Sequence, residues 1–134
     1  MTSGRYQQLN LRVLLVEDDP ANAQYARRVL CQMGCDVCLA ESGEEALRLY
    51  RKDYHQIIIL DIRLPKMDGI EFMQRIRSEE SHSGFDPVPI EVLTADALTS
   101  RRQTCLACGA NGFMSKPIRP EQIYEALKTH AVAG

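Results

Sequence analysis

Five short apolar runs, each followed by a stretch with helical periodicity, constrain this chain more than any other feature. The runs are LRVLLV (11–16), DVCLA (36–40), QIIIL (56–60), VPIEVL (88–93) and GFMS (112–115). Between them, apolar residues recur at steps of three and four, as at Ala26, Val29, Leu30 and Met33, or Phe72, Met73 and Ile76. Strand–helix alternation of this kind gives a parallel sheet with helices on both faces and right-handed crossovers. The runs are too short to span a membrane. With 134 residues there is room for one domain. We expect a polar lead-in over 1–10, the domain over 11–130 and a short tail over 131–134.

Local signals set the expected boundaries. Asp19 with Pro20 caps the first helix, and Gly34 ends it. Ser42 and Glu45 are spaced as a capping box for a helix running to about Lys52. Asp68 with Gly69 starts the third helix, and 78–87 reads as a polar loop without periodicity. A fourth helix is expected over 97–108, and Pro120 suits the first turn of a fifth.

In doubly wound sheets ligands bind beyond the carboxyl ends of the strands. Those ends hold Glu17, Asp18 and Asp19 after the first run, Asp61 after the third, Thr94 after the fourth and Lys116 after the fifth. Carboxylates gathered at one rim repel unless a cation sits among them. Oxygen ligands, few in number, suit Mg²⁺, which keeps several waters and favours phosphate. Lys116 adds a fixed positive charge and Thr94 a hydroxyl, which together make a place for a phosphoryl group. Asp61, ending the most apolar strand, is the candidate nucleophile for an aspartyl phosphate.

The segments VLLVEDD, ILDIRLPKMDG, VLTA and FMSKPI, in this order on alternating strands, resemble the receiver domain of two-component response regulators. KPIRP and CLACGA are most like receivers of hybrid sensor kinases and phosphorelays. The resemblance implies a flavodoxin-like sheet of order 2-1-3-4-5 with five helices. It implies that Asp61 takes a phosphoryl group from a histidine kinase or histidine phosphotransfer protein. It places Mg²⁺ on Glu17, Asp18, Asp61 and the backbone carbonyl of Arg63. Thr94, Phe113 and Lys116 would answer the phosphoryl group, the bond to Pro117 would be cis, and a downstream partner would read the face of the fourth helix and fifth strand. No external substrate would be turned over. The side chains of Arg63 and Asp96 would help set the phosphoryl lifetime.

Other readings carry less. A Mg²⁺-dependent phosphohydrolase usually has a second acid two residues beyond the nucleophile, where this chain has Arg63. A docking module that never accepts phosphate has no reason to keep the full acceptor set. A net charge of −2 and the lack of a dense basic run argue against nucleic acid. Five cysteines without a secretory signal point to free thiols in the cytoplasm. CDVC and CLAC have zinc-like spacing, but the first and fourth helices cover opposite faces of such a sheet, so core packing is expected instead. His130 is expected to be exposed. Glu91 departs from the family pattern of an aliphatic residue and needs a basic partner, at an edge or within an interface.

Overall fold

Ile57–Asp61 (β3) lies at the centre of a five-stranded parallel sheet and is buried along its whole length. The computed structural model describes residues 8–62, 68–84, 86–94, 100–116 and 118–133, with backbone alone for 100–102 and 131–133. Arg12–Val16 (β1), Asp36–Ala40 (β2), Ile90–Thr94 (β4) and Gly112–Ser115 (β5) complete the sheet in the expected order β2-β1-β3-β4-β5. Ile57, Ile58 and Leu60 are wholly buried, each contributing about 1.5–3 kcal/mol. Burial on both faces explains why β1 and β3 read as near-continuous apolar runs, while the edge strand β2 begins with an exposed aspartate.

The helices are Pro20–Gln32 (α1), Gly43–Leu49 (α2), Gly69–Ser83 (α3), Ser100–Ala107 (α4) and Pro120–Ala133 (α5). On one face of the sheet Ala26, Leu30, Ile123 and Leu127 of α1 and α5 pack with Leu15, Ile59 and Leu93. On the other, Ala46, Phe72, Met73 and Cys105 pack with Leu14, Leu60 and Val92. Cys35 belongs to the first cluster and Cys38 to the second, so CDVC straddles the sheet. Burial raises the pKa of both thiols, which keeps them protonated at neutral pH.

The start signals act as expected. Asp19, Ser42 and Asp68 accept hydrogen bonds from the backbone N–H groups of Asn22, Glu45 and Glu71. Glu45 reaches back to the Glu41 N–H at 2.7 Å, one residue before the cap itself.

Three expectations fail. α2 stops at Leu49, because Tyr50 turns to extended backbone (ψ 131°) and its ring stacks near His55. α3 does not end near Ser78: it runs through the supposed loop to Ser83 and closes on Gly84 at φ 74°. Glu80 explains the extra turns, since it is buried and its Oε2 accepts the Val88 N–H at 2.7 Å. An acid that faces inward is invisible to a search for apolar periodicity. Finally, His130 is half-buried rather than exposed, with Nε2 2.9 Å from Glu91 Oε2. Glu91 thereby finds its basic partner inside its own domain.

Candidate functional site

Sheet register assembles the site. Val16 pairs with Leu60, so the next residues, Glu17 and Asp61, emerge side by side. Asp61 pairs with Leu93, and Thr94 pairs with Ser115, bringing Thr94 and Lys116 to the same rim. The Lys116 N–H donates to the Thr94 carbonyl at 2.9 Å, fixing the base of the lysine. Its ammonium donates to Asp61 Oδ2 at 2.8 Å and lies 3.6 Å from Glu17 Oε1.

Glu17 and Asp61 are buried, whereas Asp18 faces solvent. One carboxylate oxygen from each of the three lies within 4.8 Å of the others. Burial first, and the adjoining Asp61 carboxylate second, push Glu17 up to about 7. For Lys116, burial pulls the pKa down, but the hydrogen bond and charge of Asp61 and the charge of Glu17 outweigh it, so the ammonium is held above its ordinary value. The Glu17 Oε2 accepts the Asp19 N–H at 3.2 Å, while the buried Oε1 lacks a hydrogen-bond partner among the described residues. A buried carboxylate oxygen beside two further acids is the donor set that a hard divalent cation takes, so these residues fit a Mg²⁺ ion.

Of the residues singled out from sequence, Glu17, Asp18, Asp61, Thr94 and Lys116 come together at this rim. Phe113 pairs with Val92 one layer deeper and packs, half-buried, against the α2–α4 side of the core. Arg63, Asp96 and Pro117 lie outside the described residues. Asp68 caps α3, as expected.

Gly69 does more than start the helix. A Cβ there would stand 2.9 Å from the Ile62 Cα and 3.3 Å from the Asp61 carbonyl, and its N–H donates to the Ile62 carbonyl. The glycine lets α3 abut the end of β3. Its place just after Asp68 was the available signal, but a helix-start reading already accounted for it. Beside Lys116 a groove opens, lined by Asn22, Tyr25, Lys116 and Ile118, with Tyr25 exposed.

A rim of acids, a hydroxyl and a lysine at the carboxyl ends of β1, β3, β4 and β5 in this sheet order defines a phosphoacceptor class of α/β domain. The model of the response regulator receiver domain matches residues 13–128, and the chain belongs to that family. Hybrid signal transduction histidine kinase M of Dictyostelium discoideum is 37% identical over 118 residues, which cover 87% of this chain and 5% of that protein. The receiver domain of sensor histidine kinase PA1611 from Pseudomonas aeruginosa, solved with a magnesium ion in its active site cleft, superposes with a TM-score of 0.78 at 31% identity. That match covers 92% of this chain and 98% of the other. The receiver domain of Ssk1, solved with the histidine phosphotransfer protein Ypd1 of Saccharomyces cerevisiae, gives 0.85 at 26% identity, covering 92% and 90%. The chain spans 5% of the length of that Dictyostelium kinase and 44% of the length of the transcriptional regulatory protein TrcR of Mycobacterium tuberculosis, less than half of either. No helix among the described residues is long and apolar enough to cross a membrane.

Proposed function

We propose that Asp61 is the phosphoacceptor of a signalling switch and takes its phosphoryl group from a phosphohistidine on a kinase or phosphotransfer protein. The observation that carries this is the 2.8 Å contact between the Lys116 ammonium and Asp61 Oδ2, with Glu17 and Asp18 alongside. The Asp61 carboxylate oxygen bonds to phosphorus, the P–N bond breaks, and the imidazole nitrogen leaves with the electron pair. Lys116 then faces the phosphoryl oxygens, where a fixed cation offsets their charge. Glu17, Asp18, Asp61 and the Arg63 carbonyl are the proposed holders of Mg²⁺, which when bound neutralises charge on the transferring group. Hydrolysis by water regenerates the carboxylate, and the domain turns over no external substrate.

Thr94 is proposed to bond the phosphoryl group and Phe113 to follow it, changing the face of α4 and β5 that a downstream partner reads. Two of the relatives support the reading by their own properties: a magnesium ion in one cleft and a phosphotransfer protein on the other receiver. The free cysteines suit a reducing cytoplasm.

With a small phosphodonor, the chain is expected to gain one phosphoryl group by intact-mass measurement when Mg²⁺ is present. Chelation should abolish the gain, and so should Asp61→Asn. Persistence in Asp61→Asn overturns the assignment. Tyr25→Ala should slow transfer from a histidine phosphotransfer protein about tenfold, the loss expected of an interfacial aromatic. Uptake from the small donor should be unchanged, because Tyr25 borders the groove and not the acids.

A further inference from the structure

Arg77 on α3 joins elements that the phosphoacceptor rim does not use. Its guanidinium holds Glu80 through Nη1 at 2.8 and 3.1 Å. Nε and Nη2 both donate to the Gly109 carbonyl, at 3.2 and 2.6 Å, and Nη2 also donates to Asn111 Oδ1 at 3.1 Å. Gly109 closes the carboxyl end of α4, where its N–H donates to the Leu106 carbonyl and the Ala110 N–H to the Cys105 carbonyl. Asn111 in turn holds the first residue of β4: its Oδ1 accepts the Ile90 N–H and its own N–H donates to the Ile90 carbonyl. The Gln74 amide adds a contact from α3 to Cys108 Sγ at 3.8 Å.

The fit around Arg77 is close. A Cβ at Gly109 would stand 2.7 Å from the Arg77 Nε, and Gly109 has φ 113°, where a side chain is strained in any case. A cation on the last carbonyls of a helix also complements the helix dipole. Glu80 is buried and Arg77 mostly so, and such a pair holds one geometry because breaking it leaves a charge without a partner. Thr94, at the other end of β4, precedes α4 in the chain, so a movement begun there reaches α4 through its amino end.

We propose that the Arg77–Glu80 pair, locked onto the Gly109 carbonyl, makes the carboxyl end of α4 a fixed pivot, so that phosphorylation swings α4 from its amino end. The inference rests on the phosphoacceptor reading and adds the axis about which its output helix moves. Arg77 is a positioning residue here, remote from the reacting atoms.

The test is nuclear magnetic resonance on the ¹⁵N-labelled full chain, with Mg²⁺ and beryllofluoride as the phosphoryl mimic. Amide shifts of residues 100–104 should move, while those of 107–111 and the Arg77 Nε–H signal stay in place. In Arg77→Met/Glu80→Gln, which removes both charges and keeps an acceptor for the Val88 N–H, the shifts should spread through 107–111. Movement of the Arg77 signal in the native chain, or equal shifts along all of α4, overturns the pivot while leaving the acceptor intact. The native chain alone decides this if the double variant does not fold. No response anywhere to Mg²⁺ and the mimic overturns the acceptor reading, and the pivot with it.

Discussion

Lys116→Ala is expected to stay folded yet take up phosphate from a small phosphodonor about 10²–10³-fold more slowly than the native chain, the loss typical of removing one fixed electrostatic stabiliser. The lysine side chain is partly exposed and adds little to the core, so packing does not suffer. What goes is the ammonium, 2.8 Å from Asp61 and 3.6 Å from Glu17. Glu17, already pushed up to about 7, loses a neighbouring positive charge and holds its proton to higher pH still. Lys116→Arg should recover only part of the rate, because a planar guanidinium cannot stand where a compact ammonium faces two carboxylates. A time course of intact mass, with thermal melting as the folding control, reads both variants. Uptake by Lys116→Ala at the native rate would remove the lysine from the mechanism.

Much of this site was legible because its residues are placed by sheet register, and register follows from the apolar runs. Once Val16 lies beside Leu60, Glu17 and Asp61 have no choice but to share a rim. Lys116 follows from the β4–β5 ladder in the same way. The misses share a different cause. Glu80 and Glu91 are acids that point into the protein, and each is stabilised by a partner remote from the apolar pattern: Arg77 one turn earlier, and His130 at the far end of the chain. Hydrophobic periodicity scores both positions as breaks, so it ended α3 too early and left the fourth strand unexplained. The role of Gly112 was hidden for a related reason, since a strand glycine shows its purpose only when its neighbour across the ladder is known.

That neighbour is Glu91, and Gly112→Ala is expected to destabilise the domain by about 3 kcal/mol. The backbone at Gly112 has ordinary φ, so the cost is one of space: a Cβ would stand 2.6 Å from both Glu91 carboxylate oxygens and 2.9 Å from Cδ. The carboxylate is buried and cannot swing out to water without giving up its 2.9 Å contact with His130 and disturbing α5. It therefore stays crowded, or moves and stands unpaired. Glu91→Val tests the account through a double-mutant cycle. Alone it should cost less than Gly112→Ala, since an aliphatic residue of similar volume fills the space and the His130 ring left behind is only half-buried and keeps some access to water. Combined with Gly112→Ala it should recover most of the lost stability, because the oxygens the new methyl group meets are gone. Thermal and denaturant melts measure all four corners of the cycle. Additive losses would mean that Gly112 is required by the strand itself and not by the carboxylate opposite.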